Sequence, residues 1–85
     1  MTRAPKLLAK ALAKNKNLRF DELKILVEAF GFRQVRSSGS HRIFTHARVA
    51  ELLNLQSVGG KAKPYQVRQF LELVEMYNLS IGDES

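Results

Sequence analysis

The sequence predicts a single α+β domain in which helices flank a three-stranded antiparallel sheet. Apolar residues recur at helical spacing in two segments near the start and one near the end, and shorter strand-like segments separated by turn residues lie between them. Helices that bracket such a sheet can cover one of its faces and leave the other open to solvent. A chain of 85 residues, 45% hydrophobic and 26% charged, suits one such domain with one core.

The first predicted helix occupies residues 5–12, and a polar loop over residues 15–17 follows it. Pro5 suits the first position of a helix. Apolar residues recur on one side and lysines take the other: Leu7, Leu8, Ala11 and Leu12 against Lys6, Lys10 and Lys14. Because no acid precedes Asp21, the segment could also be a cleaved transit peptide or a helix on a membrane surface. Its shortness and weak hydrophobicity favour a helix docked on the domain.

Two longer helices are predicted from their apolar stripes and their end signals. The second helix has Asp21 and Glu22 in its first turn, where the positive end of the helix dipole favours acids, and Gly31 as its C-terminal cap. The last helix follows Pro64. The stripes are Leu23, Leu26, Val27 and Phe30 in the second helix, and Val67, Phe70, Leu71, Val74 and Tyr77 or Asn78 in the last.

A β-hairpin is predicted between these helices. Residues 32–36 and 41–45 are expected to form its strands, with residues 37–40 as the turn. Residues 51–56 fit a third strand with Leu53 and Leu55 on one side, and Gly59 and Gly60 lie in an internal loop. With no repeat or linker, residues 1–85 form one domain, divided into an N-terminal helix and loop (1–17), a core (18–79) and a tail (80–85).

Positive charge is concentrated in the middle of the chain. The formal net charge is +6. Between Gly31 and Leu71 the sequence contains one acidic residue, Glu51, and seven basic residues: Arg33, Arg36, Arg42, Arg48, Lys61, Lys63 and Arg68. A compact basic domain attracts polyanions such as nucleic acid. A basic face that is merely solvated is the alternative.

The residue types also limit the kind of site and the location. With no cysteine, the chain has no disulfide, no thiolate zinc site and no cysteine nucleophile, a pattern that fits a reducing interior and therefore a cytoplasmic protein. Polar residues interrupt every apolar run well before the roughly 20 residues that a membrane span needs.

Three stretches resemble a known family. They are Gly31 with Phe32, the turn Gly39, Ser40 and His41 with Ile43 and Phe44 after it, and residues 61–67 leading into the last helix. In these the chain resembles the HicA toxins, small ribonucleases of toxin–antitoxin pairs, from about residue 20 to residue 79. The resemblance implies a double-stranded-RNA-binding-like fold, mRNA interferase activity that depends on His41, and neutralisation by a HicB-type antitoxin. Two features depart from the family: Arg42 stands where members often carry a second histidine, and the N-terminal helix is additional to the shortest members.

The chemistry of RNA cleavage suits these residues. The 2′-hydroxyl must lose a proton, the phosphorane must be stabilised and the leaving 5′-oxygen must gain a proton, and an imidazole can serve either transfer near neutral pH. We expect His41 to act as general base or acid, Ser40 or the backbone near Gly39 to orient the phosphate, and Arg36 and Arg42 to stabilise its charge. A structural histidine that hydrogen-bonds the turn is the alternative.

Other candidates are weaker. Lys61 and Lys63 enter the last helix where lysines could bind phosphates, or they are solvated loop residues. His46 is expected to be a surface residue at the end of a strand. His41 and His46 should face opposite sides of an extended chain and no carboxylate cluster completes a site, so we predict no metal cofactor. We assign the aromatic residues Phe44 and Tyr65 to the core, with base stacking as the alternative.

Three classes of function remain from the sequence. The first is a metal-independent endoribonuclease toxin acting on mRNA. The second is a noncatalytic RNA-binding module, which would protect RNA without cutting it. The third is a protein-interaction module whose basic surface binds an acidic partner, which would have little affinity for RNA even at low salt.

Overall fold

A computed structural model of the chain describes residues 4–13 and 18–82, and these residues form an α+β fold. The helices are α1 (Ala4–Leu12), α2 (Phe20–Ala29) and α3 (Pro64–Met76), and the strands are β1 (Arg33–Ser38), β2 (His41–His46), β3 (Val49–Val58) and β4 (Lys61–Ala62). The strands lie in chain order in one antiparallel sheet. The predicted fold class is confirmed, and the arrangement is compatible with a double-stranded-RNA-binding-like fold.

The sheet has four strands, and the prediction of three is therefore wrong. The additional strand is β4, which pairs with the end of β3 through Ser57 opposite Ala62 and Val58 opposite Lys61. Gly59 and Gly60 make the turn between them with φ of 59° and 78°, and two positive φ angles are what a tight hairpin turn requires. A strand of two residues has no alternation of polar and apolar residues that a sequence pattern could reveal.

The core lies between one face of the sheet and the helices. Phe30 and Phe32 both pack edge-to-face against Phe70, with ring centroids 5.4 and 5.9 Å apart. The predicted apolar stripes of α2 and α3 supply most of the buried helical side chains, and the sheet supplies Phe44, Leu53 and Leu55. Side chains on the other sheet face therefore lie open to solvent, as predicted.

Helix α1 docks on α2, but its buried stripe differs from the expected one. Ala4, Leu7 and Ala11 are buried, whereas Leu12 is 63% exposed. Leu12 instead lines an apolar groove of about 350 Å³ between α1 and α3. Lys10, expected on the solvent side, lies with its Nζ 3.0 Å from Oε1 of Glu22 on α2. The predicted loop over residues 15–17, and Lys14 before it, lie outside the described residues.

The ends of α2 and α3 follow recognisable signals. Glu22 Oε1 accepts a hydrogen bond from the backbone N–H of Arg19 at 3.0 Å, half of a capping box, and Gly31 follows α2 with a φ of 97°, which confirms its role as the C-terminal cap. Beyond α3 the chain returns to α2, because Gly82 N–H donates to Ala29 O at 2.8 Å. The part of the predicted tail that is described, residues 80–82, is thus attached to the domain.

Strand β1 forms one edge of the sheet, and all six of its residues are exposed. Its register with β2 shifts between Gln34, opposite Phe44, and Arg36, opposite Ile43. Val35 is thus the extra residue of a β-bulge. No helix among the described residues is long and apolar enough to cross a membrane.

Candidate functional site at the turn between β1 and β2

A tight turn positions His41 at the start of β2. Gly39 and Ser40 form the turn, and Ser38 pairs with His41 across it. Gly39 has a φ of 59°, and a Cβ at this position would meet open space, so the backbone conformation and not a lack of room favours glycine. Each strand is one residue longer than predicted, and the turn has two residues where four were predicted.

The side chain of His41 contacts β3. Its Nδ1 lies 3.1 Å from the Oδ1 of Asn54. Because His41 pairs with Gln56 and Ile43 pairs with Asn54, the two side chains are diagonal neighbours on one face of the sheet. An amide oxygen only accepts hydrogen bonds, so Nδ1 is the donor of this pair. No hydrogen bond to Nε2 of His41 is formed within residues 4–13 and 18–82.

Arg36 lies on the same face as His41. It is opposite Ile43, the second residue after His41 on β2, and it is exposed. Diagonal neighbours across antiparallel strands lie about 7–8 Å apart, which an arginine side chain spans. Of the two arginines assigned to the phosphate, Arg36 therefore shares the open face with the imidazole.

Arg42 lies on the other face, at its rim. It pairs with the buried Leu55, and its Nη1 donates to Gly39 O at 2.7 Å and to His41 O at 3.1 Å. These bonds hold the backbone of the turn. A guanidinium has five N–H donors, so Arg42 retains others for an anion.

Ser40 is attached to β3 through two atoms. Its carbonyl accepts from Ser57 N–H at 3.2 Å, and its hydroxyl lies 3.4 Å from Nε2 of Gln56. The turn and the end of β3 are thereby held together beside His41.

A buried glutamine of α3 anchors this part of β3. The Oε1 of Gln66 accepts from Gln56 N–H at 2.9 Å, and its Nε2 donates to Asn54 O at 3.1 Å. Strand β4 pairs with β3 at Ser57 and Val58, and it does not reach Asn54 and Gln56. The side-chain amide of Gln66 therefore provides hydrogen-bond partners for the backbone of β3 at these two residues.

Sequence reasoning missed the three residues Asn54, Gln56 and Gln66. A polar residue one turn before Phe70 on the buried side of the last helix was the available signal for Gln66. Nothing in the sequence linked Asn54 to His41, because their contact depends on the register between β2 and β3.

Lys61 and Lys63 lie at the same end of the sheet as His41. Lys61 is exposed and opposite Val58, two residues beyond the partner of His41 on β3. Lys63 precedes α3, and its Nζ lies 5.6 Å from the ring centroid of Tyr65. Tyr65 is 52% exposed, so its assignment to the core is wrong, whereas Phe44 is fully buried as expected.

The remaining arginines near His41 in the sequence lie elsewhere. Arg48 is beyond the far end of β2, where its Nη2 donates to Tyr77 O at 3.0 Å, and Arg33 is opposite Thr45. At that far end the Tyr77 hydroxyl donates to Oε1 of Glu51 at 2.6 Å. This hydrogen bond to a carboxylate raises the pKa of Tyr77 above its ordinary value of 10.0.

His46 is buried, and the expectation of a surface residue is wrong. It is 1% exposed and packs against the ring of Phe32, with centroids 5.1 Å apart. The reason is that β2 extends one residue further than predicted and includes His46. Residues two apart in a strand point to the same face, so His46 points into the core as Phe44 does. Its Nδ1 accepts from Arg48 N–H at 3.0 Å, which places the ring proton on Nε2.

His41 and His46 thus face opposite sides of β2, as predicted. Within the described part of the chain, no three His, Cys, Asp or Glu side chains gather where they could hold a metal ion.

The fold and this end of the sheet define a small basic α+β domain that presents a histidine on an open face beside cationic side chains. A sequence model described as the HicA toxin of bacterial toxin–antitoxin systems matches residues 20–76, about two thirds of the chain, and the protein therefore belongs to the HicA toxin family. It is a toxin of a system that also has an antitoxin. No curated protein and no solved structure matches the chain.

The match begins at the first residue of α2 and ends at the last residue of α3. All four strands and the site around His41 lie inside it, and α1 lies outside it.

Proposed function

We propose that this HicA toxin is an endoribonuclease that cleaves mRNA by metal-independent acid–base catalysis through His41. The single observation that carries the proposal is the placement of the imidazole. His41 lies on the open sheet face at the start of β2, with Nδ1 bonded to Asn54 and Nε2 bonded to none of the described residues. One nitrogen is held while the other is available to a substrate.

The reaction needs no nucleophile from the protein. In RNA the 2′-hydroxyl attacks the adjacent phosphorus, the P–O5′ bond breaks and a 2′,3′-cyclic phosphate forms. A base takes the proton of the 2′-hydroxyl and an acid returns a proton to the 5′-oxygen. His41 performs one of these two transfers through Nε2.

Cationic groups would stabilise the charge on the reacting phosphate. Arg36 shares the face of His41. Arg42 lies at the rim of the opposite face, where its Nη1 donates to Gly39 O and His41 O and other donors of its guanidinium remain for the phosphate. Such preorganised donors act most strongly where charge develops in the transition state. Lys61 and Lys63 are placed to bind flanking phosphates, which adds affinity without base specificity.

The antitoxin would be a HicB-type protein that covers the basic face and competes with RNA. Acidic side chains opposite Arg36, Lys61 and Lys63 would mask the charges that RNA needs. We assign the protein to the cytoplasm, where mRNA is available and where a chain without cysteine loses nothing in a reducing environment.

The test is cleavage of a labelled RNA by the purified protein in buffer with excess chelator. We expect fragments that end in a 2′,3′-cyclic phosphate, and we expect His41→Ala to lower the rate by a factor of about 100 or more. The matched control is Gln34→Ala, which truncates an exposed side chain of the same sheet.

Undiminished cleavage by His41→Ala overturns the catalytic role. RNA that is bound and protected but not cut by the wild-type protein identifies a noncatalytic RNA-binding module instead. A lack of RNA binding even at low salt identifies a protein-interaction module.

A further inference from the structure

We propose that Asn54 is a positioning residue that fixes the tautomer and the orientation of the His41 ring. By accepting a hydrogen bond from Nδ1–H, it leaves Nε2 as the atom that exchanges a proton with RNA. The proposal rests on the proposed function, in which His41 moves that proton, and it assigns a role to a residue outside the sequence motif.

The 3.1 Å contact between Nδ1 and Oδ1 selects one of two tautomers. A neutral imidazole carries its single proton on either nitrogen, and the hydrogen bond made by one nitrogen decides the state of the other. With the amide oxygen of Asn54 at Nδ1, the proton resides there. Nε2 is then a free acceptor in the neutral ring and a free donor in the protonated ring, so the arrangement suits a base or an acid.

The backbone that carries the acceptor is anchored on two sides. The flanking residues Leu53 and Leu55 are fully buried, and Gln66 binds Asn54 O and Gln56 N–H. The backbone of Asn54 is thus held by the core on one face and by α3 at the edge. A hydrogen-bond partner positions a catalytic ring best when the backbone that carries it is held in place, and the backbone of Asn54 is held although its side chain is exposed.

A neutral amide suits a site for a polyanion better than a carboxylate does. A carboxylate at this position would stabilise the protonated ring and repel the phosphates that Arg36 and the lysines attract. An amide orients the ring without adding negative charge. This difference makes Asn54→Asp a diagnostic substitution, since it keeps an acceptor oxygen and replaces the amide NH2 by a second, negatively charged oxygen.

The first measurement is the ¹⁵N NMR spectrum of the imidazole rings in the free protein at about pH 8.5, where a free imidazole is neutral. We expect the wild type and Asn54→Asp to carry the His41 proton on Nδ1. In Asn54→Leu, which has a similar size and no acceptor, the His41 signals should shift towards a mixture of tautomers. His46 is an internal reference, because Arg48 N–H holds it in the opposite tautomer in every variant.

The second measurement is the pH dependence of RNA cleavage. We expect Asn54→Leu to lower the rate about five- to tenfold, the factor that corresponds to one hydrogen bond. We expect Asn54→Asp to move the limb of the pH–rate profile that His41 controls to higher pH by about one unit. Gln34→Ala should leave the rate and the profile unchanged.

The two readouts separate this proposal from the proposed function. Wild-type tautomer signals in Asn54→Leu, or an unmoved pH profile in Asn54→Asp, overturn the positioning role even if His41→Ala abolishes cleavage. A wild-type protein that does not cut RNA overturns the proposed function, and a shifted tautomer in Asn54→Leu would still establish the bond between the two side chains.

Discussion

Gln66 and Asn54 connect helix α3 to the strand that contacts the candidate catalytic histidine: the buried amide of Gln66 donates to the carbonyl of Asn54 at 3.1 Å. The same amide accepts from Gln56 N–H. A side chain here takes the place of a neighbouring strand, and it joins the core to the site.

Replacing Gln66 tests this connection. In Gln66→Leu, an N–H and a carbonyl of β3 lose their partner while remaining partly buried, and we expect a loss of about 2 kcal/mol in the free energy of unfolding. Gln69→Leu is the matched control on the exposed side of α3, and it should change stability by less than about 0.5 kcal/mol. Urea titration of both variants decides the question, and equal effects would contradict the assigned role.

Helix α1 offers a second matched pair. Leu7 is 5% exposed and packs in the core, whereas Leu12 is 63% exposed. We expect Leu7→Ala to lower the free energy of unfolding by about 2–3 kcal/mol, because it leaves a cavity, and Leu12→Ala to change it little. If thermal or urea unfolding shows the reverse order, α1 docks with a different face.

Arg36 and Arg33 test the placement of positive charge at the site. Both are exposed on β1, and Arg36 is diagonal to His41 while Arg33 is opposite Thr45, towards the other end of β2. We expect Arg36→Ala to lower the cleavage rate at saturating RNA about tenfold or more, since the proposed mechanism assigns its charge to the stabilisation of the phosphorane. Arg33→Ala removes the same charge and should mainly weaken binding. Equal loss of rate in both variants would place the phosphate elsewhere.

Lys61 and Lys63 should contribute to affinity in a salt-dependent way. We expect the double substitution to glutamine to weaken RNA binding and to reduce the slope of log affinity against log salt by about 0.7 for each phosphate that is no longer neutralised. Lys24→Gln removes a charge on α2, where Lys24 Nζ lies 3.7 Å from Glu28, and serves as the control. A slope that is unchanged by the double substitution would mean that neither lysine binds a phosphate.

The hydrogen bond between Tyr77 and Glu51 should stabilise the folded protein at neutral pH and lose this effect at alkaline pH. The hydrogen bond raises the pKa of Tyr77 in the folded protein above the value of 10.0 that holds in the unfolded chain. The protonated hydroxyl is therefore favoured by folding, so the contribution is complete below pH 10 and is lost as the pH rises through the folded value. The stability difference between wild type and Tyr77→Phe should be constant at about pH 8–9 and shrink above about pH 10. Unfolding titrations across this range measure it, and a difference that grows with pH would contradict the assignment.

The helices could be predicted from the sequence because their evidence is local. The stripe of Leu23, Leu26, Val27 and Phe30 and the glycine that follows it describe α2 without knowledge of its neighbours. For the same reason the turn that presents His41 could be located. The family resemblance added the role of that histidine, which remains a proposal.

The parts that were missed depend on pairing between distant segments. Strand β4 exists because the glycine turn folds it back on β3, and the partner of His41 is set by the β2–β3 register. The burial of His46 followed from one additional residue in β2, since each further residue of a strand faces the opposite side. The spacing of apolar residues predicts the secondary structure of a single segment well, but it does not predict how two segments pair.

The bulge at Val35 has a consequence for the solubility of the toxin. A regular, exposed strand at the border of a sheet invites the same strand of another molecule to add to it, which leads to aggregation. In β1 the extra residue interrupts the row of backbone donors and acceptors, and Arg33 and Arg36 on either side add mutual repulsion between copies. We therefore expect the protein not to aggregate through β1 at high concentration, even though β1 is an exposed edge strand.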